Sequence, residues 1–236
     1  GQDAPPLRIP TKQGEVTVGG SIDRVDLYTA ADGRRYVRVI DYKTGRKKFR
    51  LRDVLWGLNM QMLVYLAALV EEGQFLPAGV LYMPSVEPTV AADRGESDDA
   101  IQKEAESELK MNGLVLSDQE VVDAMEAGIQ GRFIPVERKK SDGGYTAASS
   151  VATGEELKAV LAYSKRLIAT MAEELAAGKV QANPNRKNQD PCAYCPYGAV
   201  CGREYGPKDV ERDTTKDGEA LTQMERALEK GGESHG

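Results

Sequence analysis

RYVRVIDYKTGRKKFRLR, residues 35–52, begins as an apolar strand and ends as a run of positive charge. At the switch stand Asp41, Tyr42 and Lys43. One explanation is a surface ion pair closing a hairpin tip, worth ~0–1 kcal/mol. Yet strand interiors disfavour Asp, and a second acid, Asp23, sits the same way inside GSIDRVD, residues 20–26. Side chains alternate faces along a strand, so Val39, Asp41 and Lys43 share one face. Between the two strands lies TAADGRR, residues 29–35, a turn signal. A three-residue loop Ala31-Asp32-Gly33, with the glycine left-handed, sets Asp23 directly opposite Asp41; a two-residue Asp-Gly turn sets the two acids on opposite faces.

Facing carboxylates repel unless a cation or a shared proton joins them. Mg²⁺ favours carboxylate and carbonyl oxygens together with water. Asp23, Asp41 and the backbone carbonyl of Tyr42 are therefore the candidate ligands for Mg²⁺ or Mn²⁺, with Lys43 beside them to orient or activate a water. Phosphodiester hydrolysis needs such a set: a charged clamp on the phosphate, an activated water and a stabilised leaving oxygen. Asp26 has the opposite parity from Asp23 and is expected to pair with Arg24 or Arg38.

Outward from that point comes the basic run. Arg46, Lys47, Lys48 and Arg50 could follow a phosphate backbone, and Phe49 could stack on a base; a plain solvated loop is the alternative. DVLWGLNMQMLVYLAALVEEG, residues 53–73, reads as one helix that starts at Asp53, stops at Gly73 and is apolar on nearly every face. Gln61 and Tyr65 interrupt it four residues apart, on one face. They are either hydrogen-bonded tips of a buried helix or groups aimed at the site. PAGVLYMPS, residues 77–85, reads as a central strand. A hairpin, a buried helix and a further strand describe a mixed α/β core.

The flanks are less regular. Residues 1–14 read as an extended leading segment, and EVTVGGSIDRVDLY, residues 15–28, as one strand with a Gly-Gly flaw. About 86–150 reads as an insertion, with a charged helix from Asp98 to Met111 and a mobile tip in SDGGYTAASS. A long helix follows, opened by a Thr153/Glu156 capping box and closed at Gly178. The expected organisation is one domain over residues 1–206, including a cysteine segment at 183–206. Residues 207–236 are expected to be a polar, frayed tail with one marginal helix, ALTQMERALEK.

The 236 residues carry a net charge of −6 and are 41% hydrophobic, enough for a real core. The charge is segregated: nine Lys or Arg against one acid from Arg34 to Arg52, and eight acids against two bases from Glu87 to Leu109. That asymmetry suggests one basic working face on an acidic body. No apolar run is long enough for a membrane span, and no secretory signal pattern opens the chain. Three cysteines, Cys192, Cys195 and Cys201, are spaced C-x2-C-x5-C. This is a poor disulfide framework and a better metal-ligand pattern, consistent with a reducing, cytoplasmic compartment.

Taken together, GSIDRVD, VIDYKTG, QMLVY and the terminal C-x2-C-x5-C resemble the RecB-type nucleases of the PD-(D/E)XK superfamily. The resemblance extends to the C-terminal nuclease domains of AddB-type subunits in bacterial helicase–nucleases and covers most of residues 15–205. It implies a restriction-endonuclease-like mixed sheet flanked by helices and a Mg²⁺-dependent cut in a DNA single strand. It also implies an AddA-like helicase partner that processes broken ends for recombination. By the same resemblance Asp23 and Asp41 match metal-binding acids, Lys43 the catalytic lysine, and Gln61 and Tyr65 a Q-x3-Y motif. Cys192, Cys195 and Cys201 match three of the four ligands of a [4Fe–4S] cluster. Two features depart from the pattern: no cysteine precedes Cys192, and the family's first core helix is not apparent. The expectation is a fragment of a longer parent with an incomplete cluster site. A catalytically silent DNA-binding module of the same fold, or a stand-alone Fe–S exonuclease of the kind found near CRISPR loci, are the rival expectations.

Overall fold

The computed structural model describes residues 2–45, 47–90, 95–179, 191–201 and 216–232. The central hairpin pairs β5 (Arg24–Thr29) with β6 (Arg35–Lys43) in antiparallel register. The chain then forms α1 (Leu51–Val54) and α2 (Gln61–Val70), and returns as β7 (Leu76–Pro84), parallel to β6. A parallel pair requires a crossover. It brings the N-terminus of α2 back to the end of the sheet where β6 finishes. β8 (Asn112–Leu116) runs antiparallel to β7, and a short β9 (Val151–Ala152) completes the order β5-β6-β7-β8-β9.

The period of two divides the sheet into two faces. Val37, Val39, Val80, Leu114 and Leu116 pack under α2 and the long α5 (Gly154–Ala176). Ile40, Leu81 and Val115 point the other way. They meet Val122 of α4 (Gln119–Met125) and the loop residues Ile129, Ile134 and Val136. The result is the α/β, mixed-sheet architecture that the sequence led us to expect. The capping box on α5 is present, with Thr153 and Glu156 satisfying each other's backbone N–H, and the next left-handed glycine is Gly178.

Four expectations need correction. The leading segment is not simply extended: β1 (Gln2–Asp3) pairs with β4 (Ser21–Ile22), and β2 (Leu7–Thr11) with β3 (Gly14–Val18). Leu7 and Ile9 alternate into the core and hold that hairpin down. Residues 15–28 accordingly fall into three strands, broken around Gly19-Gly20. The helix expected over 53–73 is broken between α1 and α2. Gly57 and Asn59 both adopt left-handed backbone, and Asn59 Nδ2 donates to Asp53 Oδ2 at 2.9 Å. Part of the stretch expected as an insertion, about 86–150, belongs to the core, because β8 is a strand of the central sheet. In the same stretch α3 (Asp98–Glu108) is capped by Ser97 and ends before Met111. Finally, the expected tail contains a docked helix, α6 (Asp217–Gly232), whose Ala220 and Met224 are fully buried against α5 and α1. The Arg166 guanidinium donates to the Ala227 carbonyl across that contact.

One buried acid holds the loop under the far face. Burial alone would raise the Glu126 carboxyl, but N–H groups of Arg132, Phe133, Ile134 and Gln130 hold it below its ordinary value of 4.5. Three of these bonds measure 2.9, 2.7 and 3.0 Å, from Arg132, Phe133 and Ile134. Glu126→Gln is expected to cost about 1–3 kcal/mol at neutral pH in urea unfolding. Because the folded value is depressed, the stabilisation is present above the unfolded value and lost as pH falls through the folded one. The difference between the two proteins should therefore shrink steadily below about pH 4.5.

Candidate active site

The hairpin loop decides which acids meet. Ala30 N–H donates to Arg34 O at 2.9 Å, and Gly33 N–H donates to Ala30 O at 2.9 Å, with Gly33 at φ 85°. This is a three-residue loop, Ala31-Asp32-Gly33, with the glycine left-handed, and its odd length fixes the register. Pairing runs from Thr29↔Arg35 to Arg24↔Ile40. One step further along the same register Asp23 lies opposite Asp41. Asp23 sits in the bend where β5 begins, and its Oδ2 accepts the Tyr42 N–H at 2.9 Å. The carboxylate is thereby tied to the backbone between Asp41 and Lys43.

Asp41 itself is 5% exposed. Lys43 forms an ion pair with its Oδ2, yet that oxygen has no hydrogen-bond partner. The contact therefore supplies charge without directed bonding. The Lys43 ammonium is thus the group that offsets the burial of this carboxylate. Among the described residues no group of three or more His, Cys, Asp or Glu is placed to hold a metal. A cation here would have two carboxylates and backbone oxygen, with water for the remainder. Hard oxygen donors of this kind suit Mg²⁺ or Mn²⁺. Asp26 takes no part: on the opposite face it accepts from Arg24 and Arg38 at 2.7 Å each.

The row continues across the sheet. Asp41 pairs with Tyr82 on β7, and Tyr82 with Asn112 on β8. Burial, with the Asp41 and Asp53 carboxylates nearby, pushes the Tyr82 phenol up to about 12. Tyr82 therefore stays neutral at any pH of interest. Its ring lies under two ammonium groups, Lys43 Nζ at 5.3 Å and Lys47 Nζ at 5.2 Å from the centroid. Beside it opens a cleft of about 520 Å³, whose lining includes Lys43, Lys47, Lys48, Phe49, Lys110 and Asn112.

Lys47 and Lys48 are exposed on this cleft. Phe49 is half-buried with its ring 6.4 Å from that of Tyr82, so it forms cleft wall. Arg50 is half-buried and precedes α1. Arg46 lies outside the described residues. Gln61 Nε2 lies 3.5 Å from the Tyr65 hydroxyl. Tyr65 packs on Gly20 so closely that a Cβ there would stand 2.5 Å from its hydroxyl. The crossover brings this helix end to the site's end of the sheet, but among the described residues neither Gln61 nor Tyr65 hydrogen-bonds to Asp23, Asp41 or Lys43. Sequence reasoning missed Tyr82, Lys110 and Asn112, whose partners become visible only once β8 is paired with β7.

The cysteines lie in a turn that begins with a 3₁₀ helix, Pro191–Tyr194. Cys195 and Cys201 are exposed, Cys192 is half-buried, and no disulfide links them. A [4Fe–4S] cluster takes four thiolates, and this sequence has three cysteines. The donor set does not fit that group.

The pattern of the PD-(D/E)XK nuclease superfamily matches residues 3–202. The chain is 34% identical over 241 residues to an ATP-dependent helicase/deoxyribonuclease subunit of Thermoanaerobacter pseudethanolicus, covering 97% of the chain and 21% of the relative. It is 38% identical over 211 residues to the subunit of the same name from Clostridium botulinum, covering 84% and 18%. With that of Clostridium acetobutylicum it shares 34% over 209 residues, covering 85% and 18%. The chain thus spans about a fifth of the length of these relatives.

Proposed function

The chain belongs to the PD-(D/E)XK nuclease superfamily, and from that premise we propose that it hydrolyses phosphodiester bonds in a DNA single strand with the help of Mg²⁺ or Mn²⁺. What supports this reading above all is the pair of acids on one face of the hairpin: Asp41, buried beside the Lys43 ammonium, and Asp23, opposite it in the register and bound to the Tyr42 N–H. Asp23, Asp41 and the Tyr42 carbonyl would hold the ion. When bound, a divalent ion supplies Lewis-acid polarisation of the phosphate and a more acidic water.

The chain's own groups account for the rest. The Lys43 ammonium lies beside Asp41 and is partly exposed to the cleft. It orients the attacking water and neutralises charge that develops on the phosphate. The neutral Tyr82 ring keeps that ammonium and the Lys47 ammonium in place. Gln61 and Tyr65, at the start of α2, support the substrate from the side of Gly20. Lys47, Lys48 and Arg50 attract the strand's phosphates, as would Arg46.

We further infer a cytoplasmic helicase–nuclease as the setting, in which an AddA-like partner delivers single strands from broken duplex ends. The relatives' name supports this. Among the described residues no helix is long and apolar enough to cross a membrane. A [4Fe–4S] cluster would need a fourth thiolate in addition to Cys192, Cys195 and Cys201, and none of the chemistry above passes through it. The test is direct: end-labelled single-stranded DNA incubated with the chain and Mg²⁺ should be degraded, and chelation should stop it. Binding without any metal-dependent cleavage would instead identify a silent DNA-binding module.

A further inference from the structure

Tyr82 and Asn112 are cross-strand neighbours, and both hold the same basic segment. The Asn112 side chain makes two hydrogen bonds to it, both to backbone. Its Oδ1 accepts the Phe49 N–H at 2.6 Å, and its Nδ2 donates to the Lys47 carbonyl at 3.0 Å. One amide therefore clamps the chain on either side of Lys48, across more than 60 residues of sequence. The Tyr82 ring meanwhile carries the head group of Lys47. A segment with this much positive charge would otherwise sample many conformations. Ordering it before substrate arrives removes that entropy cost from binding.

The clamp also shapes the cleft. With the segment held down, Lys47 and Lys48 line the cleft together with Lys110, at the approach to β8. Among the described residues Glu108 is the one acid in the lining. Phe49, Tyr82 and Met111 add apolar surface to the same lining. The space of about 520 Å³ is too small for a stacked duplex. It suits one unstacked nucleotide, with lysines at its rim for the flanking phosphates.

We propose that Asn112 is a positioning residue: it latches segment 47–49 to the sheet, so that the cleft beside Lys43 is a preformed seat for a nucleotide of a single strand, with Lys110 as an additional phosphate contact. This rests on the nuclease reading above. The Asn112 side chain directs its hydrogen bonds to the backbone of this segment, so its loss acts through the lysines the segment carries.

The test compares the unaltered chain with Asn112→Leu, Asn112→Asp and Lys110→Ala. Four quantities are read: kcat and KM on single-stranded DNA with Mg²⁺, the salt dependence of binding in chelator, hydrogen exchange at the Phe49 amide, and thermal unfolding. Asn112→Leu should raise KM about 10-fold with kcat within about 3-fold, flatten the salt dependence, and speed Phe49 exchange, with little change in unfolding temperature. Asn112→Asp keeps the acceptor for Phe49 and should fall between. Lys110→Ala should raise KM and leave Phe49 exchange unchanged. A KM unmoved in Asn112→Leu, or a loss confined to kcat, overturns the latch while leaving the nuclease reading intact. If the unaltered chain neither cleaves nor binds DNA, the nuclease reading falls and the latch falls with it.

Discussion

Lys43→Ala is expected to lower metal-dependent DNA hydrolysis by about 10³-fold, the scale on which a group acting only in the transition state contributes. The ammonium sits at the end of β6, in an ion pair with Asp41 and over the Tyr82 ring. No other described cation pairs with Asp41. The same change has a second consequence. It leaves a carboxylate that is 5% exposed without its counter-charge. Without metal the variant should therefore unfold at a lower temperature than the unaltered chain. Mg²⁺ should then raise that temperature by more than it does in the unaltered chain, because the ion replaces the missing charge. Activity within about 3-fold of the unaltered chain would remove Lys43 from the mechanism.

Gly113→Ala should give the largest loss of stability, about 3 kcal/mol or more in urea unfolding. A Cβ at that position would stand 1.9 Å from the Val80 carbonyl oxygen and 2.9 Å from Leu81 Cα. Both are backbone atoms of the central strand β7 and cannot turn aside as a side chain could. β8 would have to move off, taking Asn112 and the cleft wall with it. Gly19→Ala is the control. Nothing lies within 4 Å of its Cβ position and its backbone is not left-handed, so stability should stay within about 0.5 kcal/mol. Equal stability in the two variants would mean that β7 and β8 are not packed as described.

What the sequence made legible was whatever depends on short-range periodicity. The parity of Asp41 and Lys43 on β6, the odd loop ending at Gly33 and the capping box at Thr153 are local, and each follows from a rule about neighbouring residues. What stayed hidden depended on contacts between distant segments. Gly57 reads as a tolerated helix glycine, yet Met171 of α5 occupies the space its Cβ would need. The break between α1 and α2 is thus packed by a helix more than a hundred residues away. Ala220 and Met224 form a weak stripe in a polar tail, and only the face offered by α5 and α1 makes α6 worth forming. The strand NGLVL is short and apolar. Its place in the sheet depends on Gly113 allowing β7 to approach, and without that place neither Asn112 nor Tyr82 has any apparent connection to Lys47.

The proposed cation is one that Asp23 and Asp41 share across the hairpin. Calorimetric titration of Mg²⁺ into the unaltered chain, Asp41→Asn and Asp23→Asn tests it most directly. The account predicts one ion bound per unaltered chain, with affinity reduced at least about 10-fold in each variant. Equal Mg²⁺ binding by all three proteins would contradict it.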